Sequence, residues 1–199
     1  MSDVSSRDLL LLMVGLAPDG SVGGGIGGIT RLQKLLFLLE QEEQVVPSGD
    51  GFNFRPYKAG PFSPKLYDDL EFLENLGFIE SEVTATATEP EAEEVDKLSF
   101  EDLIEGEDGG RGGNADEASM KAADAFEERR YKLTDRGREQ VEKLLARSDL
   151  DPLMKKIRRV KSRFSSYALS DLLYYVYKKY EGMTDESEIK AKVLRGRRN

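Results

Sequence analysis

The sequence predicts an α-rich α+β fold, and three observations carry that reading. Leucines recur at helical spacing, most clearly as Leu32, Leu35, Leu36 and Leu39 in "TRLQKLLFLLEQEE". Two short strand candidates, "FIESEVT" and "RRYKLT", stand on either side of a long acidic segment. A helix ending "LEFLENLG" precedes the first strand, and "LTDRG" leads from the second into a further helix.

The first element is "SSRDLLLLMVGLA" at 5 to 17, where Ser5 and Asp8 stand in capping-box spacing before an apolar helix. The stretch that follows, "GSVGGGIGGIT", matches a G-x-G-x-x-G dinucleotide loop through Gly23, Gly25 and Gly28. Such a loop must follow a strand directly and open a helix aimed at the pyrophosphate. Here "APDGSV" separates the leucine run from the glycines, and that run lacks the β-branched residues of a buried strand. Asp50 lies at a tempting distance, but within the turn-like "VPSGDG"; no second βαβ unit and no Gly-Lys-Ser/Thr follows. The glycines are read as a linker, with no cofactor.

After the leucine-rich helix, "FNFRPYKAGPF" places aromatics among Pro and Gly and predicts a short extended stretch and turn. Ser63 then caps a helix over 64–76 with Pro64 at its first position; Leu66, Leu70 and Leu73 face inward, and Gly77 stops it. Beyond the acidic segment, Thr134 caps "DRGREQVEKLLARS", with Val141, Leu144 and Leu145 on one face. In "DPLMKKIRRVKSRF", Leu153, Ile157, Val160 and Phe164 align on one face, with Asp149 and Asp151 at the helix's positive end. "SDLLYYVYKKY" and "DESEIKAKVL" complete the chain.

Helix, strand, hairpin, strand and helix in this order is the pattern of a winged-helix domain, with the acidic segment inserted in the wing. "LEFLENLGFIE" and "YKLTDRG" resemble the winged-helix transcription regulators of the MarR and PadR kind. Together with "TRLQKLLFLLEQ" and "FNFRPYKAGPFSPKLYDDLEFLENLGFIE", they more closely resemble the YwgA-like proteins, and through them the Panacea, or SocA-like, antitoxin domain. In the latter's Tyr-Gly-Pro motif, this chain carries Lys58 and Ala59 between Tyr57 and Gly60. The resemblance implies a non-enzymatic protein that binds DNA, a partner protein, or both. The resemblance covers roughly residues 5–147 less the acidic segment; a winged-helix-like domain over 1–147 is expected, with a helical C-terminal extension over 148–199.

Composition narrows the chemistry. The chain has 199 residues, of which 39% are hydrophobic and 34% charged, enough for a modest core under a polar surface. It contains no cysteine and no histidine, which removes thiol nucleophiles, cysteine metal sites, the commonest general base and the usual zinc ligand. No catalytic constellation and no metal site is expected. "LLLLMVGLA" falls well short of the about 20 residues that span a bilayer, and Asp3 and Asp8 spoil a signal-peptide start. A cytoplasmic protein without a membrane segment is expected.

The net charge of −9 is unevenly placed. Residues 84–129 hold 15 Asp and Glu against 4 Lys and Arg, a net of −11, so the remaining 25 basic and 23 acidic residues sum to +2. Low in large apolar residues, this segment is expected to be a disordered wing, either solubilising or folding back on a basic helix as a nucleic-acid mimic.

The expected function is a DNA-binding transcriptional regulator, with an antitoxin-like module that binds a basic protein through its acidic helix and wing as the alternative. For double-stranded DNA, Lys155, Lys156, Arg159 and Arg163 share the helix face opposite the apolar stripe, and Arg55, Lys58 and Lys65 cluster around the "GPFS" turn. For a basic protein partner, Asp68, Asp69, Glu71 and Glu74 make the 64–76 helix acidic, where a DNA reader would be basic. The connection over 44–62 also exceeds the about three or four residues of a helix-turn-helix turn. Tyr174, Tyr175, Tyr177 and Tyr180, interleaved with Leu172, Leu173 and Val176, read as core or as a homodimer contact.

Overall fold

Ser5 starts the fold as the spacing predicts. In the computed structural model, which describes residues 4–49, 51–83 and 129–195, its hydroxyl accepts from the Asp8 amide and Asp8 returns a bond to the Ser5 backbone. Helix α1 (Ser6–Gly15) follows, and its four leucines are all buried. Elements β1 (Ile26–Gly27), α2 (Ile29–Glu43), α3 (Pro64–Asn75), β2 (Ile79–Val83) and β3 (Arg129–Leu133) come next. The chain continues through α4 (Asp135–Leu145), α5 (Asp151–Phe164), α6 (Leu169–Lys179) and α7 (Lys190–Arg195), with single 3-10 turns before α5 and after α6. The α-rich α+β expectation is met: a three-stranded antiparallel sheet of order β1-β3-β2 lies among helices.

One strand departs from the sequence reading. The glycine stretch is not a plain linker, because β1 pairs antiparallel with β3 through Ile26↔Tyr131 and Gly27↔Arg130. Two residues among glycines carry no period-2 signal, so composition conceals the strand. Gly25 is needed here: its φ is +149°, and a β-carbon would meet the Tyr131 carbonyl oxygen at 2.6 Å. The antiparallel pairing also differs from the parallel strand of a dinucleotide fold. Asp50 and the acidic residues 84–128 lie outside the described residues.

The two sequence signatures around the strands turn out to hold one another. Gly77 takes φ +68° between α3 and β2, as a helix C-terminus requires. Thr134 caps α4 by accepting from the Gly137 amide at 3.1 Å, and its hydroxyl donates to the Gly77 carbonyl at 2.6 Å. Arg136 donates to the Leu76 carbonyl and lies over the Phe78 ring. "LTDRG" is thus the clasp on the α3–β2 corner.

A second clasp joins α2 to the 52–62 stretch, where Arg55 and Phe62 form an antiparallel bridge around a tight turn. Buried Lys34 donates to the Pro61 carbonyl at 2.8 Å, and buried Gln33 bonds both the Ser63 amide and the Tyr67 hydroxyl. These contacts set Ser63 to cap α3.

One hydrophobic core includes both sides of residue 147: Leu12 and Leu36 share it with Ile157, Val160, Leu172 and Tyr177. The interleaved Leu172, Leu173, Val176 and Tyr177 are therefore core of this chain itself. Among the described residues no helix is long and apolar enough to cross a membrane.

Lys161, within the cation-rich "KKIRRVKSRF", is buried in this core and donates to the Met13 carbonyl at the end of α1. Burial lowers its pKa from 10.5 to about 8. Below the folded value both states carry the charge; between about 8 and 10.5 the unfolded chain binds the extra proton, so stability rises with pH. Relative to Lys161→Met, the wild type should gain about 3 kcal/mol across that window. Denaturant titrations of both proteins at neutral and alkaline pH measure it; parallel pH profiles would remove the assignment.

Candidate interaction surfaces

Helix α3 is amphipathic, and its outer face is the more informative one. Leu66, Leu70 and Leu73 bury against the core. Asp68, Phe72, Asn75 and Leu76 follow at helical spacing on the solvent side, with Glu71 beside them and half-buried Glu74 on the flank. Phe72 and Leu76 are each 39% exposed and stand one turn apart, so they form adjoining apolar area on a polar helix face.

Asp69 corrects the sequence expectation. Its sequence neighbours suggest a partner-binding carboxylate, yet its side chain is 2% exposed. It accepts from the Ser6 hydroxyl at 2.5 Å, from Arg7 at 2.8 Å and from Lys65 at 3.1 Å. Burial alone would raise its pKa, but these three donors outweigh burial and hold it below the ordinary carboxylate value. Asp69 ties α3 to α1 instead of reaching a partner. Lys65 is accordingly engaged with Asp69, and Arg7 also stacks over the Phe72 ring at 3.6 Å. The electrostatic result is simple. Asp69 engages both neighbouring cations and leaves that cluster one positive charge in surplus, while Asp68, Glu71 and Glu74 have no ion-pair partner among the described residues.

The basic face of α5 is also partly committed within the chain. Lys156 donates to the Glu43 carbonyl at 2.7 Å, closing the C-terminus of α2. Arg159 pairs with Glu43 at 2.5 Å, and Arg163 pairs with Glu42 at 2.8 Å. Glu42 accepts further from the Tyr175 hydroxyl and from Lys179. Two carboxylates at a helix C-terminus oppose its dipole, and this cluster of cations offsets them. Burial would raise the Glu42 pKa, but Tyr175, Lys179 and Arg163 together lower it. Sequence showed a cationic stripe but not the anions beneath it, because Glu42 and Glu43 lie more than 110 residues away. Lys155 is exposed with no partner among the described residues, and Arg159 and Arg163 remain 65% and 50% exposed despite their ion pairs.

The third cluster is looser. Arg55 is exposed over the Tyr57 ring, whereas Lys58 is half-buried and its carbonyl accepts from the Glu188 amide. Arg55 and Lys58 share one small hairpin; Lys65 belongs to the Asp69 cluster on α3. Glu188 lies in the turn before α7. Among the described residues no group of acidic side chains could hold a metal ion. Comparison of the chain with protein-family models, curated proteins and solved structures found no match.

Proposed function

We propose that the chain is a non-enzymatic winged-helix module that docks a basic partner protein through the outer face of α3. The scaffold reading is supported by the element order α1-β1-α2-α3-β2-β3 and the sheet order β1-β3-β2; on that reading α3 is the recognition helix. The docking reading rests on one observation. On that helix Phe72, with the Arg7 guanidinium over its ring, and Leu76 are exposed beside Asp68 and Glu71; the excess of carboxylates on the helix disfavours a phosphate backbone and complements an apolar segment flanked by lysines or arginines.

Aromatic anchors dominate such contacts, so Phe72→Ala should weaken binding at least tenfold. The probe is a lysine–leucine amphipathic helical peptide titrated into the full chain. Equal affinity of wild type and variant would contradict the reading.

A second reading, a DNA-binding transcriptional regulator, is favoured by the surplus of cations over Glu42 and Glu43 on α5 and α6. Under it, short duplex DNA binds through Lys155, Arg159, Arg163 and Lys179 with a steep salt slope. Titration at low and physiological salt measures it, and Lys155→Glu should lower that affinity severalfold.

A further inference from the structure

A pocket of about 210 Å³ lies away from α3, where the start of α1, the end of α2 and the start of α5 meet. Val4, Leu9, Val45, Pro152 and Leu153 supply an apolar lining. Gln44 turns the chain sharply at φ 52°, after which Val45 points inward and Val46 stays at the surface. Val46 lines the same pocket and is 62% exposed, the most of any large apolar side chain among the described residues.

The polar groups are few and differ in what they can offer. Asp149 lines one side, but Arg147 holds its carboxylate through two bonds, at 2.8 and 3.3 Å. Lys156 lines the pocket and uses one ammonium hydrogen on the Glu43 carbonyl. An ammonium has three donors, so two remain for another acceptor. A concave apolar surface with one positioned cation has the composition of a small-molecule site.

We propose that this pocket binds a small monocarboxylate with an apolar body, its carboxylate on Lys156 and its hydrocarbon against Val4, Leu9, Val45 and Leu153. Such a ligand would bridge the last turn of α2 to the first turns of α5. It needs no contact with α3, so it stands or falls separately from the docking surface.

Octanoate and phenylacetate are suitable probes, with octanol as the neutral counterpart of the first. Calorimetric titration of the full chain should show saturable binding of at least one acid and at least tenfold weaker binding of octanol. Lys156→Met should erase that preference. Val46→Asp, at an exposed position that tolerates substitution, should weaken the acid severalfold by placing a like charge at the mouth. Absence of acid binding to the wild type would overturn the proposal, as would octanol binding equally well. Unchanged acid affinity in a folded Lys156→Met, or in Val46→Asp should the first variant not fold, would do the same.

Discussion

Gly137→Ala should destabilise the protein by about 3 kcal/mol, the upper end of the range for overpacking. A β-carbon at this position would sit 2.0 Å from the Phe78 carbonyl oxygen and 3.0 Å from its carbon. Backbone cannot move aside as a side-chain end can. Phe78 is held by its neighbours: its amide donates to Leu73, its carbonyl accepts from Thr134, and Arg136 covers its ring. The variant must therefore push α4 away from the corner or break the Thr134 clasp. A fall in melting temperature of roughly 10 °C is expected for a chain of this size. Gly182→Ala is the control, since a β-carbon there meets nothing within 4 Å. That variant should stay within about 0.5 kcal/mol of wild type. Equal melting temperatures for Gly137→Ala and Gly182→Ala would show that α4 does not pack as described.

The second large effect is expected at Asp69. Asp69→Asn keeps the shape but removes the charge that joins Ser6, Arg7 and Lys65. Loss of one partner of a buried ion pair costs about 3 to 5 kcal/mol. Because Arg7 and Lys65 are 44% and 37% exposed and can turn to water, the lower end applies. The pH dependence carries its own sign. A folded carboxylate held below its ordinary value of 3.8 adds stability at neutral pH and loses it as pH falls through the folded value. Wild type should therefore lose its advantage over Asp69→Asn in strongly acidic solution. Urea titrations at neutral pH and near pH 3 test this; a constant difference would assign the contact no electrostatic role.

Much of the fold is legible in sequence because its signals are local. Ser5 with Asp8, Ser63 with Pro64, and Thr134 announce three helix starts through caps that act within one turn. Gly77 likewise declares the end of α3. Strand β1 is not legible, since Ile26 and Gly27 owe their conformation to Tyr131 and Arg130 across the sheet. The site is legible in part. Charge at Asp68 and Glu71 is visible, but the burial of Asp69 follows from Ser6 and Arg7 on another helix. The same holds for α5, where periodicity reveals the cationic face but not Glu42 and Glu43 packed beneath it. Lys34 and Lys161 are charges that the fold places inside, each held by a backbone carbonyl that is distant in sequence, Pro61 and Met13.

The central claim is that the outer face of α3 selects a basic protein partner and rejects DNA. The most direct measurement compares wild type with the double variant Asp68→Lys, Glu71→Lys, each titrated with the lysine–leucine peptide and with short duplex DNA at low salt. Wild type should bind the peptide, and charge reversal should weaken it at least tenfold, while any DNA binding should rise. Peptide affinity indifferent to the reversal, with salt-dependent DNA binding already present in the wild type, would contradict the claim and move the function to the cations of α5 and α6.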